Sequence, residues 1–489
     1  MTNTNQNKAG WHLRQSYLSL PETFYSKQEL QSVEDPQIVY VNEDLAKELG
    51  LEIEQLYKEG LPYFSGNKAF KGIQPLAQAY AGHQFGQFTM LGDGRAVLLG
   101  EHVIEGEKTV DVQLKGSGRT VFSRGGDGRA ALGPMIRELI MSEAMYGLGI
   151  PTTRSLAVVT TGEPVYRENV LEGAILTRIA SSHIRVGTFQ YAAAKGIKKE
   201  LQALADYTIA RHDPQLEHHE QKYVAWLKEV VRKQVQLIAK WQLVGFIHGV
   251  MNTDNMAING ETIDYGPCAM MDSYNPATVF SSIDRQGRYS YSNQPYMAAW
   301  NLARLAEAML PLLAENEEEA LNQAQSIIST FGSLYEAEYL QGMGKKLGLF
   351  TLEEGDKELI QGLLTLMETF EADYTNTFRS LTFKTLEEGK LFQADQFKSW
   401  YEIWQKRLMR QEQNEEMIKQ LMLENNPAII ARNHIVEGVI EAAVDRGQMQ
   451  PLLELLQVLK KPYSSTSIPA KYAKAPGKDF DGYQTFCGT

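Results

Sequence analysis

The sequence predicts an α+β chain of two lobes, sheet-rich first and helical second, and three observations carry that expectation. Between about residues 76 and 180, short β-type runs recur (RAVLLGE, TVDVQLK, SLAVVTT, GAILTRIA), separated by Gly-rich turns. Among them lies one clear helical stretch, PMIRELIMSEAMYGLGIP. From Lys222 onward the apolar residues recur at spacings of three and four, the period of a helix with one buried stripe.

Taken in order, residues 1–75 mix polar segments with short apolar runs and Gly/Pro punctuation, which predicts an N-terminal extension packed on the main body rather than a separate domain. Residues 76–180 form the sheet-rich lobe. In TVDVQLK the apolar Val110, Val112 and Leu114 alternate with Asp111, Gln113 and Lys115, the signature of a half-buried strand, so Lys115 is expected to point away from the core face. In the helix that follows, Pro134 suits the first turn, Met135, Ile136, Leu139 and Ile140 line one side, and Gly147, Gly149 and Pro151 stop it. Residues 181–460 form the helical lobe with a helical extension. Its long helix from Lys222 buries Val224, Leu227, Val231, Val235, Ile238 and Trp241 and is closed by Gly245. Residues 296–460 read as almost wholly helical with acidic outer faces, and 461–489, rich in Pro, Gly and Lys, read as a surface tail.

Bulk properties narrow the function. A chain of 489 residues, 43% hydrophobic, can bury substantial cores. Its net charge of −12 opposes a long-range field for nucleic acid or anionic membrane, so a phosphate ligand must be held by local cations. Cys268 and Cys487 are the only cysteines, which excludes a secreted disulfide framework and any zinc spacing, though one bridge is possible. The segment MTNTNQNKAGWHLRQSY has neither an apolar signal core nor a transit pattern, and no run of about 20 apolar residues occurs, so the expected location is cytoplasmic.

The chemistry concentrates in HGVMNTDN, residues His248 to Asn255, and in IDYG, whose Asp264 follows Asn255 by nine positions. A sheet-rich lobe with one helix, then a helical lobe opening on a polar loop and such a turn, is the order of a bilobal protein-kinase-like fold. The kinase pattern HRDLxxxN lies without a gap on HGVMNTDN, placing Asn255 on the metal-binding Asn, while Asp264 takes the place of the Asp of DFG. An amide oxygen and a carboxylate are hard ligands suited to Mg²⁺. Lys115 is the candidate phosphate lysine and Glu138, early in the following helix, its ion-pair partner, with Glu143 as fallback.

The position of the kinase catalytic Asp, however, holds Val250, which neither accepts a proton nor orients a hydroxyl. Asp254, on the same loop, is a carboxylate able to act as base from another direction. GDGR (Gly92 to Arg95) and RGGDGR (Arg124 to Arg129) offer close-approach backbone and guanidinium groups without matching GxGxxG or a Walker A loop. Arg178 and Arg185 add two bidentate phosphate donors where a kinase has its interlobe hinge, which suits phosphates lying where adenine normally sits.

The runs LAQAYAGHQFGQF, LGDGRAVLLGE, DVQLKGSGRTVFSRGGDGRAALGPMIRE, GIPTTRSLAVV and FIHGVMNTDNM closely resemble the SelO (YdiU) family of pseudokinase-fold protein adenylyltransferases, over roughly residues 70–310. The resemblance implies ATP bound in inverted orientation and transfer of AMP to protein Ser, Thr or Tyr hydroxyls; some bacterial relatives use UTP with Mn²⁺. By motif it places Gly92, Gly94, Arg95, Lys115, Asp127, Gly128, Arg178 and Arg185 on the nucleotide, Glu138 as the ion-pair partner, Asp254 as proton acceptor, and Asn255 and Asp264 on Mg²⁺ or Mn²⁺. The chain departs from the family in SSIDRQGRY, where a segment resembling NHSDxxGRY is expected. Cys268 and Cys487 resemble a pair that, in some relatives, bridges the loop after DYG to the tail. Two other readings compete: a small-molecule kinase of aminoglycoside- or choline-phosphotransferase type, which Val250 opposes, and a catalytically silent ATP-binding scaffold, which needs no complete metal site. The expected partners are a nucleoside triphosphate and protein substrates, with no nucleic acid and no membrane.

Overall fold

The structure, a computed structural model, describes residues 5–6, 8–386, 389–463, 469–477, 480 and 482–486. A sheet-rich N-terminal part is followed by a helical C-terminal part. The strands of the first part are β1 (Asn5–Gln6), β2 (His12–Arg14), β3 (Tyr25–Lys27), β4 (Ile38–Val41), β5 (Leu76–Gln78), β6 (Ala81–Gln84), β7 (Gln87–Met90), β8 (Ala96–Val103), β9 (Thr109–Lys115), β10 (Ala130–Ala131), β11 (Arg154–Tyr166) and β12 (Val170–Ala180). The main sheet runs β1-β2-β8-β9-β12-β11-β4, with β5 joining β8 to β3 and β10 lying against β12. Strands β6 and β7 form a separate hairpin between β5 and β8. The first 75 residues thus supply edge strands at both ends of the sheet, β2 on β8 and β4 on β11.

Both faces of the sheet are covered. Helices α1 (Glu43–Glu48), α2 (Ile53–Glu59) and α3 (Leu61–Phe64) bring Leu45, Leu56 and Phe64 into one core with Val112, Leu114 and Ile175. Asn42 caps α1, its Oδ1 accepting from the Leu45 N–H at 3.2 Å. On the other face α4 (Leu132–Gly147) lays Met135, Ile136, Leu139 and Ile140 against Leu98, Val158 and Leu176. Pro134 falls in its first turn, as its missing N–H allows.

This two-sided cover corrects the reading of TVDVQLK as a half-buried strand with Lys115 turned away from the core. The apolar face of β9 meets α1 to α3, but Asp111, Gln113 and Lys115 are buried too. They remain polar because each has a partner. Asp111 accepts from Arg211 Nη2 at 2.6 Å and His183 Nδ1 at 2.8 Å, and Lys115 lies in an ion cluster described below. Burial alone would raise the Asp111 carboxyl, but Arg211 and His183 bring it down to about 2.

The helical part begins with α5 (Val186–Lys195), α6 (Lys198–His212), α7 (Lys222–Val244) and α8 (Gln294–Leu313). As the 3.6-residue pattern predicts, α7 buries Val224, Leu227, Val231, Val235, Ile238 and Trp241, and Gly245 ends it in the left-handed region at φ 75°. Further helices continue to Leu459, and those at Asn433–Arg446 and Gln450–Leu459 return to pack on α4, tying the last helices to the first part. A second core gathers Met367, Phe378, Trp400 and Trp404. At its edge Lys346, 2% exposed, lies 4.3 Å from the Phe378 ring centroid and 5.6 Å from that of Tyr374, and donates one long bond of 3.4 Å to Asn425 O. Burial lowers its ammonium pKa to about 7. Among the described residues no helix is long and apolar enough to cross a membrane.

Candidate active site

The two parts enclose a cleft of about 460 Å³. Its floor is fixed by the register of three strands: Lys115 lies opposite Ala96 on β8 and Leu176 on β12, and Arg178 lies opposite Gln113. Lys115 and Arg178 therefore stand diagonally on one sheet face, close enough to share partners. Glu138, reaching from the first turns of α4, takes both. Its Oε2 is 2.6 Å from Lys115 Nζ and its Oε1 accepts from Arg178 Nε at 2.9 Å. Glu143 instead binds Arg154 through two bonds of 2.7 Å, so Glu138 is the residue that meets Lys115.

Asp264 joins the cluster from the helical part. Its Oδ1 accepts from Lys115 Nζ at 2.9 Å and Arg178 Nη2 at 2.7 Å, and its Oδ2 lies 3.3 Å from Arg185 Nη1. The chain reaches this point through a left-handed turn, Asp264 having φ 60°, which is costly for a non-glycine residue. Burial alone would raise the carboxyls of Asp264 and Glu138, but Arg178 and Lys115, with Arg185 in the case of Asp264, hold both below the usual carboxylate range. Three cations thus face two carboxylates, a centre with spare positive charge for an anionic ligand.

Arg185 also donates to Asp254 O at 2.9 Å and stacks 4.3 Å from the Tyr80 ring. Asp254 is the contrasting carboxylate. It is 6% exposed, and its Oδ1 is buried with no hydrogen-bond partner among the described residues. Burial pushes its pKa up to about 6. Room for it depends on Gly82, since a Cβ there would stand 2.1 Å from Asp254 Oδ1. Strand β6 is held on the same loop, the His83 N–H donating to Thr253 Oγ1 at 2.7 Å and the Phe85 N–H to Asn252 Oδ1 at 3.1 Å.

Asn255 donates its amide nitrogen to Val250 O at 3.0 Å, which leaves its carbonyl oxygen for a ligand in the cleft. Val250 lines the same cleft with an apolar surface. His248 is structural: its Nε2 pairs with Ile263 O at 2.9 Å and its ring stacks on Trp241. The cleft wall opposite carries Gly92, Gly94, Arg95, Asp127 and Gly128. Gly92 has φ 139° and a Cβ there would lie 2.4 Å from the Phe122 ring, so the GDGR loop closes on Phe122 only with glycine at this point. Asp127 stands at the rim, paired with Arg167 at 2.8 Å.

Among the described residues no group of three or more His, Cys, Asp and Glu side chains is placed to hold a metal by itself. Asn255 and Asp264 offer two hard oxygens, which fits a cation such as Mg²⁺ that completes its shell with water and phosphate oxygen. Cys268 is buried; Cys487 lies outside the described residues. The tail does reach this loop, Thr485 Oγ1 donating to Pro267 O at 2.7 Å and Thr485 N to Phe280 O at 2.8 Å.

Among the lining residues that sequence reasoning missed are Tyr80, Asp93, Gln113 and Arg167. Asp93, buried and pushed up to about 6, accepts from the Gln78 N–H at 3.1 Å and Gln113 Nε2 at 3.3 Å, bracing the glycine loop. Gln113 was signalled by its alternation with Lys115 on β9, whereas Arg167 in an exposed turn carried no signal.

The family described as Protein adenylyltransferase SelO matches residues 10–460. The chain is 60% identical to "Protein nucleotidyltransferase YdiU" of Bacillus cereus (strain AH820), over 487 residues that cover 99% of this chain and 100% of the relative. Proteins of the same description from Bacillus anthracis (60%) and Bacillus thuringiensis subsp. konkukian (strain 97-27) (59%) match over the same lengths.

Proposed function

Because the chain belongs to the SelO family and is a protein nucleotidyltransferase, we propose that it moves AMP from ATP to a Ser, Thr or Tyr hydroxyl of a protein and releases pyrophosphate. The observation that carries this reading is the pairing of a three-cation centre with a separate carboxylate that has a free oxygen: Lys115, Arg178 and Arg185 beside Asp254, with apolar Val250 where a kinase keeps its base. On this reading the two parts are the lobes of a kinase-like fold, 76–180 and 181–460, and the nucleotide lies inverted. Its outer phosphates then meet the buried cations and its α-phosphorus faces Asp254.

The step balances simply. The acceptor oxygen attacks the α-phosphorus, its proton passes to Asp254 Oδ1, the bond from the α-phosphorus to the bridging oxygen breaks, and pyrophosphate leaves with the electron pair. Lys115, Arg178 and Arg185 neutralise the leaving charge, and fixed cations in a site shielded from water act without reorganising. Glu138 positions Lys115 and Arg178. Asn255 and Asp264 would hold Mg²⁺ or Mn²⁺, which when bound offsets phosphate charge. UTP is the alternative donor.

Incubation with ATP labelled at the α- or the γ-phosphate tests this reading. α-Label on protein is the expected result. γ-Label on protein or on a small molecule would establish a kinase, and no label from either a silent scaffold.

A further inference from the structure

Hairpin β6–β7 leaves the sheet just before the GDGR loop and lies on the catalytic loop, yet nothing in the nucleotide chemistry uses its outer strand. Phe85 and Gly86 at its tip have φ 50° and 86°, the signature of a type I′ turn, which makes Gln84 and Gln87 a hydrogen-bonded pair. From there bonding alternates along the ladder, and the Leu91 N–H to Tyr80 O bond of 2.9 Å confirms the phase. The main-chain groups of His83 on β6 and of Phe88 and Met90 on β7 therefore point outward.

The two edges differ in their surroundings. The edge of β6 is occupied by Thr253 and Asn252. The edge of β7 faces solvent, with Phe88 45% and Met90 42% exposed. An unpaired strand edge with exposed apolar side chains is a template for another strand.

The adjoining surface carries a charge with no ion-pair partner among the described residues. Arg288 lies 5.0 Å from the Trp300 ring and 5.8 Å from that of Tyr289, against the Gly86 turn. Its side chain hydrogen-bonds that of Tyr289 but makes no ion pair among the described residues, and its Nε is buried without a partner. In a chain of net charge −12, a guanidinium held on an aromatic shelf with no ion pair among the described residues offers a docking point for an acidic group. The hairpin leads straight to the base, because Tyr289 Oη and the Phe85 N–H both bond Asn252 Oδ1, two residues before Asp254.

Resting on the nucleotidyl-transfer reading, we infer that the outer edge of β7 docks the acceptor protein. An extended acceptor segment pairs with Phe88 and Met90 through its main chain, sets an acidic side chain on Arg288 and apolar ones on the Phe88 shelf, and runs on into the cleft with its hydroxyl at Asp254. A strand added there lies about 5 Å beyond β7 and about 10 Å beyond β6, whose Gly82 abuts Asp254, so about three extended residues separate the docked segment from the modified one.

The test uses the full chain, α-labelled ATP with Mg²⁺, and two synthetic peptides containing Ser, Thr and Tyr that differ only in flanking residues, Glu in one and Lys in the other. Wild-type protein is expected to favour the Glu peptide by about tenfold or more in kcat/KM, mainly through KM. Arg288→Glu should reverse the preference. Met90→Pro, which removes an outward N–H and the exposed Met side chain while sparing every hydrogen bond to β6, should weaken transfer to both peptides. Both variants should keep wild-type ATP affinity and wild-type cleavage of ATP to AMP by water. Equal transfer to the two peptides, or to neither, by wild-type protein that cleaves ATP overturns the inference, as does wild-type behaviour of both variants. Failure of wild-type protein to cleave ATP at the α-phosphorus counts instead against the nucleotidyl-transfer reading.

Discussion

Glu138→Gln changes one charge in a centre whose balance the structure defines. Glu138 is 2% exposed and holds Lys115 at 2.6 Å and Arg178 at 2.9 Å, while Asp264 shares both cations and Arg185. Glutamine keeps the shape and one acceptor but leaves three cations facing a single carboxylate. Each lost attraction is worth about 6 kcal/mol at an effective dielectric of about 20. The carboxylate no longer has to be desolvated, which returns several kcal/mol, so the net loss should be about 3–5 kcal/mol, as for other buried pairs broken on one side. Urea unfolding of variant and wild type without nucleotide would measure it. A saturating triphosphate supplies the missing negative charge, so the gap should narrow when ATP is added, while transfer falls because Lys115 and Arg178 lose their positioning partner. A variant within about 1 kcal/mol of wild type, or a gap unchanged by nucleotide, would refute this account.

Gly82→Ala should displace the Asp254 carboxylate, since the new Cβ would fall 2.1 Å from Oδ1, and both it and Asp254→Ala should cut transfer by about 10²- to 10⁴-fold while calorimetry finds ATP binding within a few-fold of wild type. Lys346→Met should stabilise the protein. Moving an ammonium from 10.5 to about 7 costs up to about 5 kcal/mol, so a gain of that order is expected in thermal or urea melts at pH 7 and below. The lysine's folded pKa is depressed, so wild-type stability rises from about pH 7 toward 10.5 and the gain should vanish there. Asp111 gives a dependence of the same sign at the acid end. Its folded pKa of about 2 lies below the ordinary 3.8, so its contribution is present above about pH 4 and is lost as pH falls through 2, a slope that Asp111→Asn should remove from acid titrations.

The parts of the fold most legible in the sequence were those with a strong period and a clear stop, such as α7 with its apolar stripe and Gly245. The alternation in β9 identified the strand but misjudged its setting, because period two reports which residues share a face and not whether a second layer covers the polar one. Lys115, Glu138, Arg178, Arg185, Asp254, Asn255 and Asp264 were legible as a set because motif order carried them, and the structure brings six of them to one cleft with Glu138 bonded to Lys115 and Arg178 behind it. Asp93 was not singled out inside GDGR, since its role depends on Gln78 and Gln113 from two other strands. The free edge of β7 was equally invisible: only the register shows which amides point outward.

The carboxylate of Asp264 is already occupied by Lys115, Arg178 and Arg185. On the proposed reading, an incoming triphosphate and an incoming divalent ion would compete for opposite ends of the same contacts: the anion would draw the basic groups away, and the ion would take the acid they release. Each ligand removes the obstacle to the other, so their affinities must rise together and by the same factor whichever arrives first. Titrating either one at several fixed levels of its counterpart should give the same coupling free energy from both directions.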